Sequence, residues 1–152
     1  MNLTPRQLNR YLMFKLPSAF LCGVRVKSLN STSCLVTVKH SWINQNPFNS
    51  MYFAVQAMAA ELSTGALVMT EIRNTNTPIS MLVASNKSSF SKKATGLLTF
   101  SCHGGNEIRD AIQKATTTGE GVTCWMKSIG TNEAGEIVSE MDFEWTLRRR
   151  VS

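Results

Sequence analysis

Apolar and polar side chains alternate along much of the chain, and the period of this alternation identifies candidate strands. Apolar or ring-bearing residues occupy every second position of residues 34–42, and a shorter alternation covers residues 24–27. A period of two is typical of half-buried strands, so these two segments predict an antiparallel pair. Residues 137–148 alternate most regularly. Further strands are predicted at residues 79–90, 97–102 and 122–129.

Two other segments have the spacing of surface helices. Thr4 can cap a helix and Pro5 suits its first position, while three leucines at intervals of four residues share one face. We therefore predict a helix from Thr4 to Leu16, ended by Pro17. A shorter helix is predicted to start at Asn106, because apolar residues follow it at helical spacing.

The most apolar part of the chain is residues 51–62, where only Gln56 and Glu61 are strongly polar. Its residues favour a helix that starts near Met51 and continues to about Thr70. A helix that is apolar on nearly every face must be buried. Since the segment is too short and too interrupted to cross a membrane, we expect a sheet of the same chain to wrap around it.

The order of these predicted elements indicates a fold class. Two strands precede the buried helix, and about four follow it with a small helix inserted. The chain has 152 residues, 43% of them hydrophobic, and no repeat or linker divides it, so we expect a single domain over residues 1–152. An α+β fold, with an antiparallel sheet wrapped around a long central helix, satisfies the pattern, whereas a parallel doubly wound sheet does not.

Composition narrows the functional classes. The four cysteines lie far apart without a Cys-x-x-Cys pair and the chain has two histidines, which argues against a zinc site and a disulfide scaffold. We therefore expect no metal. The net charge of +6 favours a polyanionic or phosphate-bearing partner. No apolar run is long enough to span a bilayer and the N-terminus has no leader pattern, so a cytoplasmic protein is expected.

One short motif carries a family resemblance. Residues 46–49 read Asn-Pro-Phe-Asn and lead into the apolar helix, which carries an Ala-Glu pair ending at Glu61 and then Gly65. This pattern resembles the acyl-CoA thioesterases of the hotdog fold, in particular their menaquinone-pathway and 4-hydroxybenzoyl-CoA branch. Counted from Pro47, Glu61 matches the catalytic carboxylate of that family. The resemblance implies a hotdog fold and hydrolysis of an acyl thioester.

The same resemblance implies a set of site residues. Asn46 stands where the family often has Gln, Tyr52 occupies the position of its His, and Phe53 and Ala54 replace its two glycines. Backbone N–H groups at a helix start are suited to stabilising an oxyanion. The resemblance therefore implies that Asn46 and Tyr52 are catalytic together with the carboxylate, and that Phe53, Ala54 and Gly65 contact the substrate. From the residues alone, Tyr52 and Phe53 also suit the core, and Asn46 suits a turn.

Glu61 is the predicted reacting group. Its apolar helix disfavours the charged carboxylate and should raise its pKa, and such a group can act as a general base or as a nucleophile. Tyr52 lies roughly 13 Å away along the same helix, so Glu61 cannot meet the amides of its own helix start. A second subunit must supply one of the two parts. The sequence thus predicts a homodimer, alone or as a dimer of dimers.

The predicted ligand is an acyl group on CoA or on an acyl carrier protein. CoA or pantetheine is then part of the substrate, and no separate cofactor is expected. Lys87 and Ser88 lie on the strand whose counterpart in the family runs beside CoA, and Lys92 and Lys93 follow it. The resemblance implies that they meet the phosphates. A solvated strand edge protected by lysines is an equally good interpretation.

Two other functions stay open at this point. A non-catalytic hotdog module would bind acyl-CoA, acyl carrier protein or another lipid-like ligand, and the replacements at Tyr52 and Phe53 favour it. A nucleic-acid binder would use the arginines at 148–150. This last interpretation ranks lowest, because the other basic residues are scattered and such a run is more often a solvated end. We expect no nucleic-acid partner.

Overall fold

Six antiparallel strands form one sheet around the longest helix of the chain. The structure, a computed structural model, describes residues 3–150. The strand order is β1-β2-β4-β5-β6-β3, and every neighbouring pair is antiparallel. The elements are α1 (Pro5–Lys15), α2 (Pro17–Leu21), β1 (Arg25–Leu29), β2 (Cys34–Lys39), a 3-10 turn (Trp42–Asn44), α3 (Phe53–Thr75), β3 (Ile79–Phe90), β4 (Leu97–Cys102), α4 (Gly105–Thr118), β5 (Val122–Thr131) and β6 (Ile137–Arg149).

Helix α3 fills the concave side of the sheet, as its apolar sequence predicts. Buried residues occur on all its faces and include the hydroxyl side chains of Ser63 and Thr64, which donate hydrogen bonds to carbonyl groups of the preceding turn. By length and composition α3 could cross a membrane, but 67% of its most apolar 18-residue stretch is buried inside the fold. We therefore identify α3 as the core helix. It starts two residues later than predicted and continues five residues further.

Strand β6 shows why the regular alternation was informative. Five side chains two residues apart are buried against the core, whereas the acidic residues between them are only half-buried. Ile137, predicted to share the inward face, is exposed. The five inward residues are Ser139, Met141, Phe143, Trp145 and Leu147.

Local predictions hold at α1 and fail at three other places. Thr4 and Gln7 form a reciprocal capping box at the start of α1. Pro17 ends α1 but also begins α2, which the pattern did not predict. Strand β2 stops at Lys39 rather than at Trp42, whose side chain is 84% exposed in the 3-10 turn. Helix α4 begins at Gly105 with Gly104 as its cap, so the predicted cap, Asn106, lies inside the helix.

Strand β3 is a long free edge of the sheet. It pairs with β6 along one side, and no described strand pairs with its other side. Most of its side chains are exposed, and Leu82 is 67% exposed although it is apolar. Long unpaired edges with apolar side chains are ready sites for pairing with another chain.

Candidate functional site

Two separate cavities lie beside the start and the middle of α3, and they share no lining residue; a third adjoins the C-terminal end of the helix, next to α4. The first, of about 530 Å³, surrounds the start of the helix. The second, of about 420 Å³, lies beside its middle. Strand β3 borders both, because Leu82 near its beginning lines the second cavity and Phe90 at its end lines the first. Five of the predicted site residues are therefore divided between two places within one protomer, with Asn46, Tyr52 and Phe53 at the first cavity and Glu61 and Gly65 at the second.

The start of α3 leaves backbone donors free beside the first cavity. Tyr52 is the N-cap residue, but its side chain makes no capping hydrogen bond. Within residues 3–150, the N–H groups of Phe53 and Ala54 have no acceptor. The helix dipole adds partial positive charge at this point. Phe53 and Tyr52 line the cavity, and their rings are in edge contact with centroids 5.0 Å apart.

The loop before α3 is shaped by Asn46. Its Oδ1 accepts hydrogen bonds from the backbone N–H groups of Phe48 and Ser50, and its Nδ2 donates to the Ser50 hydroxyl. Asn49 in the same loop has a left-handed backbone, with φ of 57°, a conformation that Asn tolerates better than most residues other than Gly. Asn46 lines the first cavity, and its amide is occupied in holding the loop.

Gln56 is a polar group in this cavity that the sequence did not single out as a site residue. Its side chain is buried, and its Nε2 donates to the carbonyl oxygen of Met51 at 3.4 Å. Its Oε1 is buried and has no donor within the described residues. Buried polar atoms are nearly always paired, so an unpaired acceptor in a cavity wall indicates a place for a donor group of a ligand or water. The sequence feature that could have identified Gln56 as a site residue is its position as a lone side-chain amide in the apolar segment of residues 51–62.

The lysines are distributed differently from the prediction. Lys92 and Lys93 line the first cavity, where Lys92 pairs with Glu136 and Lys93 donates to the carbonyl oxygen of Phe48. Lys87 and Ser88 are exposed on β3 and line neither cavity. The ammonium of Lys87 lies instead 5.0 Å from the centre of the Trp125 ring. The structure therefore brings Lys92 and Lys93, but not Lys87, to the helix start.

The second cavity contains Glu61 in an apolar wall. The carboxylate of Glu61 forms no hydrogen bond or ion pair with the described residues, including Gln56. Burial raises the pKa of Glu61 above its usual value, as its apolar surroundings predict. The indole N–H of Trp145 is engaged with the Thr64 hydroxyl at 2.9 Å. The other lining residues are Tyr11, Leu16, Leu62, Gly65, Met69, Met81, Leu82 and Val83.

The lack of a side chain at Gly65 leaves space for the carboxylate of Glu61. A Cβ at this position would lie 3.2 Å from the Trp145 ring and 3.4 Å from Oε1 of Glu61. The first distance is a tight contact, so a side chain here would push against the indole that forms the cavity floor. Gly65 thus allows α3 and β6 to pack closely at this point.

These two cavities hold complementary chemistry. The first offers backbone donors, an unpaired amide oxygen and two lysines, whereas the second offers an acid with a raised pKa among apolar side chains. Acyl transfer needs both an attacking or proton-accepting group and a donor to the oxyanion. Ala54 lines neither cavity, although its free N–H is at the helix start.

The fold belongs to a known class. An antiparallel sheet wrapped around one long helix is the hotdog fold, and solved structures of thioesterase-like hotdog proteins match nearly the whole chain. A probable thioesterase of otherwise unknown function from Pseudomonas aeruginosa is 24% identical with a TM-score of 0.82, covering 99% of each chain. A thioesterase from Haemophilus influenzae is 10% identical with a TM-score of 0.74, covering 100% of this chain and 95% of the other.

A third structure, of a Chlorobaculum tepidum protein of unknown function, is 14% identical with a TM-score of 0.83, covering 98% of this chain and 99% of the other. These identities establish the shared fold. The chain itself belongs to the family described as Domain of unknown function (DUF4442), whose model matches residues 4–147. Comparison with curated proteins finds no match.

Proposed function

We propose that this protein hydrolyses an acyl thioester, with acyl-CoA as its substrate, and that Glu61 is the reacting carboxylate. The observation that carries the proposal is the Glu61 carboxyl itself, which is unpaired within residues 3–150 and lies in an apolar cavity. Acids whose pKa is perturbed in a cleft are concentrated at functional sites. The thioesterase-like fold supports the choice of reaction.

The free edge of β3 supports a homodimer that completes the site. Strand β3 runs antiparallel to α3 and borders both cavities, with Leu82 in one and Phe90 in the other. If two copies pair antiparallel through this edge, the beginning of one β3 meets the end of the other. Each Glu61 cavity then lies beside the helix-start cavity of the second protomer. This pairing brings the acid and the donors together, which one chain alone cannot do.

In this dimer the reaction needs only groups already described. Glu61 takes a proton from water, and the resulting hydroxide attacks the thioester carbonyl. The negative charge that develops on the carbonyl oxygen is stabilised by the N–H groups of Phe53 and Ala54 from the second protomer. Collapse breaks the carbon–sulfur bond, and the proton returns from Glu61 to the leaving thiolate. Direct attack by the carboxylate, giving an anhydride that water then cleaves, uses the same groups.

Ligand placement follows from the polarity of the two cavities. The apolar wall of the Glu61 cavity suits the acyl chain, and among the neutral side chains of its described lining only Tyr11 has an unengaged donor. Lys92 and Lys93 at the helix start suit the phosphates of CoA. The unpaired Oε1 of Gln56 suits an amide N–H of pantetheine.

Thiol release from a panel of acyl-CoAs tests the proposal. We expect turnover by the wild type and a drop of roughly a thousandfold in kcat for Glu61→Gln, since general acid–base catalysis typically contributes about that much. Glu71→Gln is the matched control, because Glu71 is a buried carboxylate of the same helix outside both cavities and pairs with Arg109 at 3.5 Å. It should keep the wild-type rate.

The same preparation separates the hydrolase from a binding module. The exposed ring of Phe53 at the helix start favours the module, since it stands where the resembled enzymes have glycine. Calorimetry with a non-hydrolysable acyl-CoA would then show binding, while no acyl-CoA of the panel releases thiol. That combination would contradict catalysis and support acyl-CoA as the ligand of a binding module. Absence of both binding and turnover would reject the proposal altogether.

A further inference from the structure

The charge of this protein is segregated along the chain. Residues 1–60 contain six Lys or Arg and no Asp or Glu, while residues 61–152 contain ten basic and ten acidic residues. The whole net charge of +6 therefore comes from the first part of the chain. Half of those six basic residues lie on α1, namely Arg6, Arg10 and Lys15. All three are exposed, and none forms an ion pair with the described residues.

Exposed apolar side chains share this surface with the cations. Leu8 and Leu12 hold α1 on the core, so Arg10 and Phe14, each two residues further on, project to the opposite side. Phe14 is 73% exposed, and Leu21 on the adjoining α2 is 64% exposed. Tyr11 and Met13 are also exposed. We call this set, Arg6, Arg10, Tyr11, Met13, Phe14, Lys15 and Leu21, the α1 face.

A shallow depression of about 430 Å³ in the α1 face combines both kinds of group. It is lined by Gln7, Arg10, Tyr11, Phe14 and Lys15. A guanidinium and an ammonium beside two aromatic rings suit a phosphate group whose attached chains are apolar. Surface helices with exposed aromatic and aliphatic side chains beside Lys and Arg lie in the interfacial region of membranes and prefer anionic lipids.

We propose that the α1 face docks this protein on an anionic phospholipid surface. Arg10 contacts the lipid phosphates directly, Arg6 and Lys15 reach them from opposite sides of α1, and Phe14 and Leu21 enter the apolar boundary beneath them. The long basic side chains can lie along the apolar residues while their charges reach the headgroups. Charge complementarity selects this partner, because the face carries three exposed cations and no acid. The inference is independent of hydrolysis.

Docking through this face would place the Glu61 cavity close to the lipid. Tyr11 belongs to the α1 face and also lines that cavity, together with Leu16 at the end of α1. A ligand with an aliphatic chain would then reach the cavity directly from the membrane.

Co-sedimentation of the full chain with vesicles tests this inference. We expect binding to vesicles of phosphatidylcholine and phosphatidylglycerol in equal parts, little binding to phosphatidylcholine alone, and weaker binding as salt increases. Replacing Arg6, Arg10 and Lys15 together by Gln should weaken binding roughly a hundredfold, since each basic residue near such a surface contributes about fivefold. Phe14→Ser should weaken it about tenfold.

Matched controls use residues away from α1. The triple variant Arg73→Gln, Lys114→Gln, Arg148→Gln removes the same charge from exposed positions, and Trp42→Ser removes another exposed aromatic ring. Both should bind vesicles like the wild type. Circular dichroism checks that each variant is folded, and the single Phe14→Ser change keeps the test decisive should the triple variant fail to fold.

Any one of the following results would overturn the proposal. The first is equal binding to neutral and anionic vesicles, or no binding to either. The second is an equal loss in the control variants. The third is a lower molar mass of the α1-face variants by light scattering, which would make this face a contact between copies of the chain. If the protein bound a soluble acidic protein but not vesicles, the partner of the α1 face would be a protein rather than a membrane.

Discussion

The cavity at the start of α3 and the cavity beside its middle differ in what their side chains can supply. The first has a helix-start donor and cations but no acid in its described lining, whereas the second has an acid in a mostly apolar wall. Residues of β3, whose other side is unpaired in the described sheet, line both cavities. The difference indicates that neither cavity is a complete site, and that the unit of function is the pair of cavities across two protomers.

Among the changes that test this difference between the cavities, removing one backbone donor at the start of α3 should cause the largest loss of activity. Phe53 is the first residue of α3, and Tyr52 before it has φ −60° and ψ 135°, a conformation that a following proline accepts. We expect Phe53→Pro to keep the helix and to lower kcat by several hundredfold, as does the loss of an oxyanion donor elsewhere.

The matched control for this change is Phe53→Ala, which removes the same ring but keeps the N–H group. It should lose far less activity than Phe53→Pro in the same thiol-release assay. Equal losses in the two variants would mean that the ring, rather than the amide, contributes to the reaction, and would remove the helix start from the mechanism.

Mixing two inactive variants tests whether the site is shared. In a mixed dimer of Glu61→Gln and Phe53→Pro chains, one site combines an intact acid with an intact helix start. Refolding the two together should restore about a quarter of the wild-type activity, because half of random dimers are mixed and each has one intact site. Activity that stays at the level of the separate variants would place the acid and donor in one chain.

Gln56 distinguishes a binding role from a structural one. Gln56→Met keeps the shape of the side chain and removes the unpaired Oε1, so the free energy of unfolding should rise by about 1 kcal/mol. If a ligand donor pairs with this oxygen, KM should also rise about tenfold. Thermal melts and steady-state kinetics measure the two effects. A stability loss would show that the amide is needed by the fold itself.

The smallest expected effect concerns the pH dependence of stability. Burial raises the pKa of Glu61 in the folded state, so the stability it contributes is fully present below the pKa of the unfolded chain. That stability is lost as the pH rises through the folded-state pKa. Relative to Glu61→Gln, the wild type should therefore become less stable with increasing pH. Melting temperatures across this range, with Glu120→Gln as an exposed control, measure the difference; a constant difference would contradict it.

Much of the fold could be predicted from local patterns. The boundaries of β3 and β4 follow directly from the sequence, and α3 is predicted by its continuous apolar composition. Side-chain period reports which faces are buried, and this is a local property of each element. The class, an antiparallel sheet wrapped around a helix, is confirmed together with the resemblance to hotdog thioesterases. The short helix α2 was not predicted, because five residues are too few to show a helical period.

The candidate site could be predicted only in part. The motif resemblance pointed to Glu61 and to the helix start, and their catalytic roles stay predictions. The position of Lys87 could not be judged from the sequence, because a strand residue shows its alternation but not which cavity its neighbours form. The lack of a hydrogen-bond donor for Gln56 Oε1 could not be predicted either, because it depends on residues from elsewhere in the chain that pack around the helix start.

The amino-acid sequence by itself determined the apolar central helix, the alternating strands, and a charge balance in which the first 60 residues carry no acid. These are properties of composition and spacing. Only the tertiary structure decided that β3 is a free edge, that Glu61 and the start of α3 open into different cavities, and that the cations of α1 surround exposed apolar side chains. The reason is physical: burial, pairing and cavities depend on contacts between distant residues, and chain packing creates those contacts.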